Sequence, residues 1–491
     1  RRRGRRAGSR GRRVSRSRSG ALLPRRGASR SRTSPLVWKR REARNALTFH
    51  GNGGAQARRP SRRRRCREPD SGDPSHSVSD CSESCASSLA SSSRSSSVST
   101  SALQEDDGGD GGADGEKRPA AARPADAVPH FSWWAGQMLT DRYRVVKALG
   151  DGTFGRVLLA DDCCKGRQVA VKVIRNVEKY IKNAKREAEI LKDIRDADTK
   201  KDVACVHMFE SFTHESPEGQ FFCLACEVLG ESLYDHLKQN RFQGLWVQDI
   251  QSIVKQCLEA LAFLHNDLGL THTDLKLENV LFRAGGPPRP ASFPRAALWR
   301  QARRGGGGRA APYVRPASIQ VKLIDFGNAT YELEHHSSTI NTRQYRAPEV
   351  ILALGWNERS DLWSMGCILL ELYTGELLFR THESLEHLAL MERTIEPFSA
   401  SMLKKVDELR KDQFLVQDLE GDHWRLNWPE WASSPSSERR VSNQESLAKL
   451  VLQQHRSLAE FASSLLILEA SRRPSASAAL AHPFLFEQFP D

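Results

Sequence analysis

At 491 residues the chain is longer than an average single domain and has ample length to bury a large core. Its net charge of +14 sits almost wholly at one end: residues 1–140 hold 29 Lys and Arg against 13 Asp and Glu, which leaves residues 141–491 at −2. Ten irregularly spaced cysteines exclude a dense disulfide framework and fit a reducing compartment; with no run of 18 apolar residues and no apolar stretch at the start, neither a membrane span nor secretion is expected.

From Arg1 to about residue 130, clusters of Arg, Ser, Gly and Asp alternate without a sustained apolar period, so 1–130 is expected to be a disordered Arg/Ser-rich arm. It contains Ser15-Arg16-Ser17-Arg18-Ser19, Ser29-Arg30-Ser31-Arg32 and the basic run Arg62–Arg65. Such runs suit a nuclear-targeting and interaction arm, an inert solvated linker or an organelle transit peptide. The first is preferred, because phosphorylation can reverse the charge of alternating Ser and Arg. The arm lacks aromatics interleaved for base stacking, so RNA association through it would be weak and sequence-indifferent.

Ordered patterning begins at Tyr143. Residues 143–149 and 156–161 read as strands joined by a Gly-rich turn, Gln168–Ile174 as a third, and 205–212 and 221–228 as two more, with helical spacing over Glu178–Ile194 between them. From Val247 onward the pattern is mainly helical, most clearly at Val247–Leu268, Asp361–Tyr373 and Leu458–Leu468. The fold expected is α+β and bilobal: a small β-rich lobe over 143–229 and a larger helical lobe over 230–486. Two inserts interrupt the second lobe. Residues 283–318, rich in Gly, Pro and Arg, read as a flexible loop; 410–445 is expected to dock in part through Trp424, Trp428 and Trp431. Without the eight Arg of 283–318, the remainder after residue 140 carries about −10, a field that favours basic substrates. Cys223 and Cys226 form a CxxC in a strand-like apolar run, read as core cysteines since no second Cys/His pair stands nearby.

The Gly-rich turn is Gly150-Asp-Gly152-Thr-Phe154-Gly155-Arg-Val157, between two strands, where glycines let backbone N–H groups approach phosphate. A dinucleotide site would open a helix instead. Val169-Ala170-Val171-Lys172 follows on the next strand; its lysine can pair with nucleotide phosphates while Glu187 of the next helix holds it. Each is commonplace alone and more often surface charge. Further on stand His272-Thr273-Asp274-Leu275-Lys276-Leu277-Glu278-Asn279 and Asp325-Phe326-Gly327. Phosphoryl transfer needs a carboxylate to orient the substrate hydroxyl and take its proton, a cation beside the moving group, and oxygen ligands for Mg²⁺. Asp274, Lys276 and the pair Asn279 with Asp325 supply these in turn, and five motifs in this order outweigh a reading as helix caps and links.

The chain resembles the eukaryotic protein kinases, with Ala347-Pro348-Glu349 closing an activation segment and Arg473 the expected buried cation for Glu349. Asp361, opening a central helix, is expected to brace the catalytic-loop backbone. Glu386-His387-Leu388-Ala389-Leu390-Met391-Glu392-Arg393 is similar to the signature of the LAMMER, or Cdc2-like, kinases, departing at Leu390; as a helix it packs and catalyses nothing. Leu270–Lys276, His335–Glu349 and Arg425–Trp428 agree with that family. The resemblance implies an ATP- and Mg²⁺-dependent dual-specificity kinase, monomeric in its catalytic domain, acting on Arg/Ser-rich proteins such as splicing factors. It also implies a nuclear location, alone or shared with the cytoplasm. Its nucleotide site would comprise Gly150, Gly152, Phe154, Gly155, Val157, Ala170 and Lys172, with Glu227 and Leu229 on the adenine and Asp235 near the ribose. Cys226 takes the position at the back of that site where the family more often has Phe, so an exposed thiol is expected there. Thr273 stands where many kinases carry the Arg that binds a phosphorylated activation segment, which suggests activity without an upstream kinase. A catalytically dead scaffold is the rival reading, disfavoured because Lys172, Asp274 and Asp325 are all present.

Overall fold

In the computed structural model the described residues are 128–293, 295, 312–418 and 423–489, so the arm over 1–127 lies outside them. Apolar residues alternate along β1 (Tyr143–Gly152), β2 (Gly155–Asp162) and β3 (Arg167–Ile174), where Val169, Val171 and Val173 all point into one core. With β4 (Met208–Ser216) and β5 (Gly219–Cys226) they form an antiparallel sheet in the order β1-β2-β3-β5-β4. Helix α1 (Glu178–Ala197) buries Ala184, Glu187, Ala188, Ile190, Leu191 and Ile194 against that sheet and the second lobe, a face with helical spacing.

The second lobe is built round two buried helices. Along α2 (Val247–Asp267) the apolar residues Ile250, Ile253, Val254, Cys257, Leu258, Leu261 and Leu264 recur at three- and four-residue steps. Along α3 (Arg359–Thr374) residues 360–373 are buried on every side, as befits the centre of a lobe. It ends at Gly375 with φ 81°, where a Cβ would lie 1.9 Å from the Phe242 carbonyl oxygen. Strands β6 (Val280–Arg283) and β7 (Val321–Leu323) pair antiparallel and place the loops before and after them under the first lobe.

Order begins earlier than the sequence pattern suggests. Phe131 and Leu139 are buried in the first lobe's core, and Gly136 N donates to Val145 O at 2.8 Å while Val145 N donates to Gln137 O at 2.8 Å. This segment covers the otherwise open edge of β1. The insert over 283–318 also departs from a simple flexible loop at its base. Arg289–Ala291 pairs with Tyr313–Arg315, the buried Arg295 donates to the carbonyls of Leu245 (2.5 Å) and Tyr373 (3.0 Å), and Arg315 holds Asp249 at 2.5 Å; residues 296–311 lie outside the described residues. In 410–445, Trp424 and Trp428 pack on the core but Trp431 is 52% exposed, so the third docking aromatic is corrected. What fastens that region is the helix 384–394: buried Glu386 accepts from Ser437 Oγ and from Arg440 at 2.5 Å. No described helix is long and apolar enough to cross a membrane.

Candidate active site

The cleft between the lobes gathers the residues that the motifs single out. Lys172 on β3 meets Glu187 on α1 with Nζ to Oε2 2.8 Å and Oε1 3.1 Å, and lies 3.9 Å from Asp325 Oδ1. Burial alone would lower the lysine's pKa; Glu187 and Asp325 outweigh it and hold the group above its ordinary value, so it stays cationic. Above it, the turn from β1 to β2 brings Gly152 opposite Gly155. Gly155 tolerates no side chain, since a Cβ there would stand 2.3 Å from Val173 O. Phe154 at the tip is 51% exposed and meets Tyr180 of α1 edge-on at 5.1 Å.

Asp274 sits at the mouth. Its Oδ2 accepts from Lys276 Nζ at 2.8 Å and its Oδ1 from Thr342 Oγ1 at 2.7 Å. Burial raises this carboxyl's pKa, but the Lys276 charge and the two donated hydrogen bonds prevail and leave it below the usual carboxylate range. It is therefore ionised at neutral pH and able to take a hydroxyl proton. Asn279 Nδ2 donates to the Asp274 carbonyl at 2.8 Å, which leaves the amide oxygen as the acceptor for a cation. That oxygen and the Asp325 carboxylate are hard donors of the kind Mg²⁺ takes alongside substrate phosphates, so the residues present fit a divalent metal. Once bound, such an ion would neutralise charge on the phosphates.

The backbone here is strained. Thr273, Asp325 and Asn341 have φ of 68°, 63° and 63°, each costing on the order of 1–3 kcal/mol for a non-glycine residue and less for Asn. Asp361, fully buried, holds the catalytic loop in place by accepting from His272 N at 2.8 Å and Thr273 N at 3.0 Å, as expected from the sequence. Asn341 N and Nδ2 both donate to Thr273 O at 2.9 Å, tying the activation segment to the same loop. Further along, Arg473 grips Glu349 through two hydrogen bonds of 2.8 and 3.0 Å.

Val157 and Ala170 stand on β2 and β3, and Glu227 and Leu229 on the link after β5 that joins the lobes. Glu227 N donates to His207 O at 2.9 Å, and its carboxylate pairs with Lys322 at 3.2 Å. Asp235 lies in the first turn of the next helix, Leu233–Gln239, accepting from Ser232 Oγ at 2.7 Å. Cys226 is half-buried beside Lys172, and burial, aided by Glu187, pushes its thiol up to about 12, so it lines the site without being a nucleophile. Thr342, Asn341 and Arg186 were not assigned roles from sequence; their partners lie across the fold, and only the neighbourhood of Ala347-Pro348-Glu349 hints at the first two.

This fold and site define a protein kinase, and the protein kinase domain family matches residues 143–485. Among curated relatives, the serine/threonine-protein kinase AFC2 of Arabidopsis thaliana is 39% identical over 367 residues, 74% of this chain and 81% of that protein. The dual specificity protein kinase CLK2 of Homo sapiens is 36% identical over 371 residues, 75% and 68% of the two chains. A crystal structure of a kinase domain superposes with a TM-score of 0.65 at 41% identity, covering 72% of this chain and 98% of that one. The chain belongs to the LAMMER, or Cdc2-like, branch of the protein kinases and is a phosphotransferase using ATP and a divalent metal.

Proposed function

We propose that this kinase, with Mg²⁺ as its metal, phosphorylates serine in Arg/Ser-rich proteins such as splicing factors, modifies its own tyrosines as well as Ser and Thr, and acts in the nucleus on pre-mRNA splicing. The observation that carries catalysis is the closed arrangement of Lys172 on Glu187, with Asp325 3.9 Å away and Asp274 held ionised by Lys276 and Thr342. A dead scaffold would not need all four. For the substrate class, the support is charge: the catalytic body without its Arg-rich insert is near −10, and Glu278, next to the catalytic residues, lies within electrostatic reach of Asp274 and Asp235. Dual specificity rests on the names of the relatives.

In the reaction, Asp274 orients the substrate hydroxyl and receives its proton, Lys276 offsets charge on the group in transit, and Lys172 fixes the phosphates from above. The test uses labelled ATP, Mg²⁺ and three peptides: arginine-directed, proline-directed and acidic. The Arg/Ser peptide should be preferred and Asp325→Ala should be inert; preference for the acidic peptide would overturn the substrate assignment, and full activity of Asp325→Ala the mechanism.

A further inference from the structure

The root of the arm meets the nucleotide-covering turn through one buried guanidinium. Arg175 follows β3 and is 6% exposed. Its Nη1 donates to Thr153 O at 3.0 Å, its backbone N to Phe154 O at 3.0 Å, and its Nε and Nη2 to Val128 O at 3.1 and 2.5 Å. A second arginine repeats the link from the turn's other side. Arg156 Nη1 donates to Phe131 O at 3.0 Å while its Nε and Nη2 hold Asp151 at 2.5 and 3.1 Å. The strap is pinned from below by Phe131, 2% exposed, whose ring meets His214 and Phe221 edge-on at 5.3 and 5.0 Å.

These contacts set the direction of the amides that face phosphate. A trans peptide unit is planar with C=O and N–H opposed, so turning the Thr153 carbonyl toward Arg175 turns the Phe154 N–H away from it, and the Phe154 carbonyl does the same for Gly155. Beyond the β1–β2 pairing, Gly150 and Gly152 add no side-chain contact that would fix the tip, since a Cβ at either would meet almost nothing. We propose that Arg175 is a positioning residue for ATP and that Val128–Phe131 is a strap by which the arm's root holds the nucleotide-covering turn closed. The arm thus enters the catalytic body at the nucleotide site. Burial first, then Arg175 and Arg156, lower the pKa of His130 against the pull of Asp151, so it adds no positive charge beside the two guanidiniums.

The inference rests on the ATP site described above, and the test separates the two: no turnover by the unaltered chain would sink that site, not the strap. In the full-length chain, Arg175→Gln should raise KM for ATP roughly tenfold, about the loss of one charge-assisted hydrogen bond, leave KM for peptide unchanged, and speed hydrogen exchange over 150–157 but not over 169–174. Arg175→Lys, which keeps one charged donor, should fall between. Phe131→Ala, which keeps the carbonyl that Arg156 uses and removes only the ring packed on His214 and Phe221, should shift KM for ATP and exchange at 150–157 in the same direction. An unchanged KM for ATP in Arg175→Gln overturns the proposal. So does a shift accompanied by equally faster exchange throughout the first lobe, since that is a structural role alone. If Phe131→Ala does not fold, the Arg175 pair decides.

Discussion

Two carboxyl groups in this chain are tuned in opposite directions, and each gives a measurable expectation. Asp274 is kept ionised by Lys276 and Thr342. Asp274→Asn keeps the shape but cannot take the proton, so kcat should fall by roughly 10²–10⁴ with KM for ATP little altered; steady-state kinetics that showed a wild-type kcat would exclude the role. Glu371 on α3 is buried and accepts from Tyr345 OH at 2.7 Å. Burial raises its pKa to about 7, with the Tyr345 hydrogen bond opposing and Glu278 adding to the rise. The folded state therefore holds a proton that the unfolded chain gives up near the ordinary carboxyl value of 4.5. Its contribution to stability is whole below that pH and is lost as pH climbs to about 7, a change of about 3 kcal/mol. Glu371→Gln, neutral throughout, should match the native chain in denaturant melts at pH 5 and exceed it at pH 8. Equal pH slopes for the two proteins would refute this. At this scale the sequence pointed to Lys172, Glu187, Asp274, Lys276, Asn279 and Asp325, which the cleft brings together, because phosphoryl transfer restricts both their type and their order. Arg175, Thr342 and Glu371 stayed hidden, since what each touches depends on how distant segments fold back.

Among the elements, α1 and the activation segment are joined by bonds between the chain's own side chains and backbone. Arg186 pairs with Glu334 and donates to Ala329 O at 3.0 Å, Tyr331 OH donates to Asp193 at 2.7 Å, and Thr273 Oγ1 donates to Asn328 O at 2.9 Å. The Arg186 and Tyr331 bonds hold the helix that carries Glu187 against the activation segment, and the Thr273 bond ties that segment to the catalytic loop, where many kinases use an Arg. Protein kept unphosphorylated by phosphatase should therefore turn over substrate. A domain inert until Thr or Tyr in 328–345 is modified would contradict this. Arg186→Ala, which breaks a half-exposed pair, should lower kcat about two- to fivefold. The strands and long helices were legible because their apolar periods of 2 and 3.6 are sustained; observed bounds differ by a few residues, as with α1, which runs on to Ala197. The segment 128–139 and the base of the first insert were not. Phe131, Leu139, Phe293 and Tyr313 are single anchors among polar, Gly and Pro residues, and a lone apolar residue has no period to read.

Across the whole molecule, charge is divided along the chain: residues 1–140 carry +16 and residues 141–491 carry −2. The body is closed by the pair between Glu349 and Arg473, both almost fully buried and 124 positions apart. Breaking such a pair costs about 3–5 kcal/mol, because the survivor is left charged and unpaired. The latch also gives the chain an order of assembly. During synthesis Lys172, Glu187, Asp274 and Asp325 all emerge before the residue that fastens the end of the activation segment through Glu349. Nascent chains halted before position 473 on the ribosome are expected to retain nucleotide yet transfer no phosphate to peptide, with transfer starting once Arg473 is free; labelled transfer from a shorter tethered chain would show the latch dispensable. The newborn kinase would then be silent toward its substrates until Arg473 can reach Glu349.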